Sequence, residues 1–440
     1  MKRILFFCLV IIIILSGCNA KDDSGDSSLD NEQEDTRDNK YNEDNDTQNN
    51  NNYTQINEDI KKLLPEREDF TWRYNGSIDY GHTMILNEIV QSEDSTTYSV
   101  NGEVDDLSGG ESTADYSIQL YYRIEEGKLI QEKREETMLD SKFDDLVLIQ
   151  APLEEGNSWI QTVLDKEGNE VVLDCTITEV EKEKMKTYTI EYNDQNSDYY
   201  ETRQIQEGYG TVYFTSLYET DFEMSYSLYR EYTGYNDELA LKEYLPLFQG
   251  EMYYFGLAEY GHLAELDSIE YNLDETIYKV KGSFQDGSGI PGDFTVNYKL
   301  DHNNGTIQEQ VVENTRENNQ EVNSIMHDPI ILKAPIQVGN EWSQSVKINE
   351  ESYTMNAVIT KMDIQNGLVT TTVKYTVDGV RGYFRDQYIE ERTFQHRNGM
   401  VGFAKLIEGD IGISGKDLED SNKVQEAIDM HMFGYGLSQH

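Results

Sequence analysis

Two sets of paired residues carry the side chains with which this chain could do chemistry. Tyr80-Gly81-His82 returns as Tyr260-Gly261-His262, and Glu201 with Arg203 returns as Glu390 with Arg392. An imidazole can bind zinc or move a proton near neutral pH, and a carboxylate beside a guanidinium can act as an acid–base centre. Zinc needs several ligands at close spacing, and neither His82 nor His262 has a second His, Cys or carboxylate so placed nearby. The histidines therefore read as hydrogen-bonding fixtures, with the neighbouring Gly supplying a bend or bulge. Glu201 and Arg203, like Glu390 and Arg392, stand two apart, so on a strand each pair projects from one face. That suits a cross-strand charge network better than acid–base catalysis, which asks for a pocket and a perturbed carboxyl. Cys175 falls in step with Leu173 and Ile177, and its counterpart is Ala357, so it reads as a small buried residue rather than a nucleophile. The chain has no Walker-type phosphate loop, no Gly-x-Ser-x-Gly elbow and no His-Glu-x-x-His pair. No catalytic residue, metal ligand or cofactor is expected.

The elements that must position these residues occur twice. Ile60 to Pro65 corresponds to Leu241 to Pro246, and Ala151-Pro152 with Gly156-Asn157-Ser158-Trp159 corresponds to Ala334-Pro335 with Gly339-Asn340-Glu341-Trp342. Tyr199 corresponds to Tyr388, and Gly210, Val212 and Phe214 to Gly399, Val401 and Phe403. The offset drifts as loop insertions would make it, and two copies follow, at 56–235 and 236–410. Inside each copy the apolar period is two. Tyr116, Ile118, Leu120, Tyr122 and Ile124 alternate with mostly polar neighbours, as do Phe294, Val296, Tyr298 and Leu300, and Val369 to Val377. Such alternation means strands with one buried and one wet face, hence mainly antiparallel pairing. Gly127-Lys128 and Asn303-Asn304-Gly305 suit hairpin turns. Helical signals are few: one before each copy, and one over about 416–432 within a helical tail at 411–440. The expected fold is all-β, as two tandem curved-sheet or half-barrel domains with a few short helices.

Charge narrows the partners. Lys and Arg total 36 against 84 Asp and Glu, a net charge of −48. This argues against nucleic acid and against electrostatic docking on anionic lipid. Three Cys exclude a disulfide-built scaffold.

The start of the chain addresses it. Lys2 and Arg3 precede an apolar run, Ile4 to Leu15, which is too short to span a bilayer and suits a signal segment over 1–17. The junction Leu15-Ser16-Gly17-Cys18 resembles the bacterial lipobox, which implies lipidation of Cys18, palmitate included, and anchorage on the outer side of the cytoplasmic membrane. Residues 19–55 hold 11 acids, 3 bases and 9 Asn, with Leu29 the one larger aliphatic, so 18–55 reads as a lipidated Cys and a disordered acidic tether.

The Ala-Pro-Leu/Ile-x-x-Gly-Asn-x-Trp element followed by Gly-x-Val-x-Phe resembles a domain of uncharacterised lipoproteins from clostridia and related Gram-positive bacteria, across both copies. More distantly, a lipobox ahead of a curved antiparallel sheet is similar in architecture to lipoprotein carriers of the LolA/LolB type. That likeness implies a sheet wrapped around an apolar groove. The expectation is a membrane-anchored, extracytoplasmic, non-enzymatic binding or interaction protein with an envelope or extracellular ligand, an apolar molecule or lipid being one form of it. The alternative is a cell-envelope hydrolase without a recognisable motif. A transporter-associated solute-binding protein ranks behind both, since those are α/β with interleaved lobes. Cys18→Ala should leave the protein unprocessed or release it from membranes, which detergent-phase partitioning reads directly; unchanged partitioning would contradict lipidation.

Overall fold

The computed structural model describes residues 55–438, apart from 109–110, 136, 220–221, 248–249, 286, 288, 290, 317–323 and 366. The signal segment, Cys18 and the tether up to residue 54 lie outside the described residues. Among the described residues, no helix is long and apolar enough to cross a membrane.

The first copy opens with helix α1 (55–61). Six strands follow: β1 (Phe70–Gly76), β2 (Gly81–Gln91), β3 (Ser95–Val104), β4 (Ser117–Glu125), β5 (Lys128–Lys133) and β6 (Asp145–Gln150). Six more return: β7 (Ser158–Leu164), β8 (Glu170–Lys182), β9 (Lys186–Asp194), β10 (Tyr200–Gln206), β11 (Gly210–Glu219) and β12 (Phe222–Leu228). The order across the sheet is β6-β5-β4-β3-β2-β1-β12-β11-β10-β9-β8-β7, with the short β13 (Gly234–Tyr235) added beside β1. Two meanders thus lie side by side, and the sheet curls until β6 and β7 come together.

The second copy repeats the plan. Helix α2 (Asn236–Lys242) leads into β14 (Met252–Gly256), β15 (Gly261–Tyr271), β16 (Glu275–Phe284), β17 (Asp293–Asp301), β18 (Thr306–Asn314) and β19 (Ile330–Lys333). Its return half is β20 (Glu341–Ile348), β21 (Glu351–Gln365), β22 (Leu368–Asp378), β23 (Gln387–Gln395), β24 (Gly399–Leu406) and β25 (Met432–Leu437). The order is β19-β18-β17-β16-β15-β14-β25-β24-β23-β22-β21-β20, and every pairing is antiparallel. The fold is therefore all-β, two nearly closed half-barrels in tandem.

Period-two patterning drives the curl. On β4 the buried residues are Ile118, Leu120, Tyr122 and Ile124, and on β22 they are Thr371, Val373, Tyr375 and Val377. Each inward row buries against the facing half of its own sheet, and large aromatics such as Trp72, Tyr74, Tyr192 and Tyr375 fill the middle. Every fully buried side chain of this size contributes on the order of 2–3 kcal/mol.

The C-terminal segment departs from the expectation. Helix α3 (Ser421–Met430) lies where a helix was expected, capped by Asp420, whose carboxylate accepts from the Asn422 and Lys423 amides. The residues after it are no helical tail, however. Strand β25 pairs with both β14 and β24, so the second sheet runs to residue 437 rather than stopping near 410. Without β25, β14 and β24 would each leave an open edge, which is why the chain returns after α3.

The seam between the outermost strands has its own chemistry. The Gln161 carboxamide accepts from the Val147 amide at 2.9 Å and donates to the Val147 carbonyl at 3.1 Å, standing in for a ladder partner. In the second copy Gln344 accepts from the Ile330 amide and donates to the Asp328 carbonyl. The connection across the seam is the Ala-Pro-x-x-x-Gly-Asn-x-Trp element, with cis Ala151-Pro152 and Ala334-Pro335. Asn157 donates to the Gln150 and Pro152 carbonyls, and Asn340 to those of Lys333 and Pro335. Gly156 and Gly339 sit at φ of 86° and 88°, a left-handed turn that suits glycine. Trp159 and Trp342 follow and are buried.

The two copies meet through ion pairs and stacked rings. Arg67 bonds Asp237 at 2.7 Å, Lys184 bonds Glu270 at 2.7 Å, and Arg230 lies over the rings of both Tyr209 and Tyr271. Gln161→Ala should leave both Val147 backbone groups unpaired and cost about 1–3 kcal/mol in urea unfolding. Amide exchange at Val147 should rise with it. A loss of only a few tenths with unchanged exchange would show that this carboxamide does not hold the seam.

Candidate functional site

Both copies bury a polar cluster inside the curl. In the first, Arg203 Nε donates to Glu201 Oε1 at 2.7 Å and the Tyr199 hydroxyl donates to Glu201 Oε2 at 3.0 Å. The Arg203 Nη2 atom lies 3.6 Å from Asp140 Oδ2. Asp140 also accepts from Lys133 Nζ at 2.6 Å and from Gln131 Nε2 at 2.9 Å. Burial pushes the Asp140 carboxyl up, but Lys133 and Arg203 outweigh it and hold the pKa below the ordinary value. The four charges balance: two cations, two carboxylates.

The second copy keeps one half of this arrangement and rebuilds the other. Arg392 Nε donates to Glu390 Oε1 at 2.6 Å, and the Tyr388 hydroxyl donates to Glu390 Oε2 at 2.6 Å. Here the second carboxylate comes from β18, with Glu309 Oε2 at 2.8 Å from Arg392 Nη1. A buried lysine, Lys405, stands opposite Glu390 in the register of β23 and β24. Glu309 occupies the place of Gln131: each faces its tyrosine, Tyr298 or Tyr122, across the hairpin. The structure thus places Glu201 with Arg203, and Glu390 with Arg392, in direct contact on the inner face of each half-barrel.

His82 and His262 lie in the same interiors. His82 stacks on Tyr74 at 4.5 Å and meets Tyr226 edge-on at 5.0 Å. Neither of its ring nitrogens has a hydrogen-bond partner among the described residues. His262 stacks on Tyr254 at 4.4 Å, and its Nδ1 lies 2.8 Å from the Tyr260 hydroxyl. Burial drives both imidazoles down to about 3, so both are neutral at physiological pH. Cys175 is buried, accepts from Gln161 Nε2 at 3.2 Å, and has its thiol pushed up to about 12 by burial. A thiol so protonated is not a nucleophile. Among the described residues no group of three or more His, Cys, Asp or Glu could hold a metal ion.

The sequence reading named no residues for the cavity of about 90 Å³ that lies inside the second half-barrel. Met252, Ala264, Val296, Val311, Glu309 and Arg392 are among the residues that line it, with His262 and Tyr254. Val311 is also 51% exposed, so the cavity reaches the surface beside it. Register explains the opening. Met252 pairs with Ala264 where the first copy pairs Trp72 with Met84. Across the next strands Val296 pairs with Val311 where Leu120 pairs with Lys133. All four first-copy side chains are larger and buried. Phe394 and Met400, in place of Ile205 and Thr211, refill only part of the difference.

No protein-family model and no curated protein matches the chain. Among solved structures it is similar to an exported protein of Bacteroides fragilis with a YmcC-like fold, at 12% identity over 38% of this chain and 95% of that one, with a TM-score of 0.25. It is also similar to a protein of Parabacteroides distasonis described as a lipoprotein, at 10% identity over 38% of this chain and 96% of that one, with a TM-score of 0.23. Neither organism is a clostridium.

The buried histidines generate a pH dependence. The unfolded imidazole takes a proton below its ordinary 6.5, whereas folded His82 stays neutral down to about 3. Stability is therefore full above about 6.5 and falls as pH drops through that window, by about 1.4 kcal/mol per unit for each histidine. His82→Phe, an apolar ring of similar shape, should shrink the stability lost between about pH 7.5 and about pH 4.5 by roughly 2–3 kcal/mol. Urea unfolding at both pH values measures it, and an unchanged difference would contradict neutral burial.

Proposed function

We propose that the protein is a lipid-anchored, extracytoplasmic binding protein without catalytic activity, whose second half-barrel takes up a small apolar molecule while the first serves as a filled support. The anchor is Cys18, and the clostridial lipoprotein resemblance fits this placement. The cavity carries the reading. It is framed by aromatic and aliphatic side chains, with a few polar atoms to orient a ligand, as small-molecule sites generally are. One water needs about 10–15 Å³ on this measure, so the space suits about six to nine non-hydrogen atoms. The hydrolase alternative finds less support. Among the described residues at the cavity, Glu309 is engaged by Arg392, as is Glu390 behind it, so these carboxylates are committed to the guanidinium rather than to activating water.

The test compares the mature protein with the double variant Met252→Trp, Ala264→Met, which rebuilds the packing of the first copy. Toluene should raise the thermal midpoint of the wild type, by the equivalent of about 2.7 kcal/mol at a hundredfold excess over Kd. The double variant should not respond. No shift in the wild type, or an equal shift in both, would defeat the proposal.

A further inference from the structure

The hydrogen-bond inventory of Arg392 says what kind of head group the cavity accepts. A guanidinium has donors on three nitrogens. Arg392 Nε is taken by Glu390 and Nη1 by Glu309, while Nη2, buried, has no hydrogen-bond acceptor among the described residues. Arg392 is 1% exposed and lines the cavity. The corresponding Nη2 of Arg203 also lacks a hydrogen-bond acceptor among the described residues, but there Asp140 Oδ2 lies 3.6 Å away, so the first copy sets a negative charge of its own beside it. A buried donor without an acceptor is unfavourable, and a ligand oxygen placed at Nη2 would relieve it.

Charge decides which oxygen. Arg392 alone already faces two carboxylates, Glu390 and Glu309, so it has no positive charge to spare for another anion. An incoming carboxylate would be the third anion on one guanidinium, in surroundings where like charges repel strongly. A neutral carbonyl oxygen meets the donor without adding a charge. The geometry points to a neutral, carbonyl-bearing apolar ligand (a ketone, ester or amide on a short chain), with its oxygen on Arg392 Nη2 and its chain among Met252, Ala264 and Val296. This rests on the cavity binding apolar molecules, as proposed above, and adds the selection of a neutral head group over an acid.

The experiment uses the mature protein and two probes of matched size, 2-heptanone and hexanoate, titrated calorimetrically at neutral pH. The ketone should bind at least about tenfold more tightly than the acid anion, about 1.4 kcal/mol in binding free energy. The carbonyl stretch of bound, ¹³C-labelled 2-heptanone should lie below its value in alkane, the signature of a hydrogen bond to the guanidinium. Glu309→Gln, which places at 309 the residue type found at 131, should narrow the gap by improving hexanoate. Equal or tighter binding of hexanoate, or an alkane-like carbonyl stretch, would overturn the inference while leaving apolar binding intact. If toluene also fails to bind, the cavity reading itself falls, and this one with it.

Discussion

A curled sheet of twelve strands has two raw edges, and how they are satisfied governs everything else in this protein. Each copy brings its outermost strands face to face and lets a glutamine side chain, Gln161 or Gln344, do the work of a backbone partner. The asparagine corner beside it pins the crossing chain. An unpaired edge invites other strands to add to it. Joined edges turn a sheet into a container, and a container obliges its inward residues to satisfy one another.

That obligation explains the interior charges. An arginine and a glutamate two apart on one strand must both point inward, and burial is tolerable only when every charge has a partner. The copies share this core pair and then diverge. The first completes it with a loop aspartate and a lysine on β5; the second uses a glutamate on β18. Moving the second carboxylate onto β18 frees position 311 from carrying a cation, and valine there helps to open the space that lysine closes in the first copy. The two copies thus fill their interiors with different side chains while keeping one meander plan.

Much of this was legible in the chain itself. Alternation in segments such as 116–124 and 369–377 marks the strands and their inner faces, because one face is dry and the other wet. The spacing of Glu201 and Arg203 places both on one face for the same reason. The closing strand Met432–Leu437 was not legible: Met-Phe-Gly-Tyr-Gly-Leu has no alternation, and its identity as a strand comes from the two neighbours it pairs with. Asp140 was also silent, since a loop residue carries no periodic signal and its role depends on where the loop folds. The cavity's lining escaped for a different reason. Repeats are found by residues that match, whereas Trp72 against Met252 and Met84 against Ala264 inform by failing to match.

The position of β25 sets an order of events while the chain is being made. A chain that emerges from its N-terminus delivers β12 directly after β11 and β13 soon after, so the first half-barrel has all its strands in hand once residue 235 has emerged. The second must wait through the whole of α3 before Met432–Leu437 arrives to lie between β14 and β24. For that interval a finished domain sits beside an unsealed one, with two strand edges and a Tyr-rich interior open to the surroundings. The acidic surface then matters before folding is complete: like-charged chains emerging side by side repel one another while the last strand is still on its way.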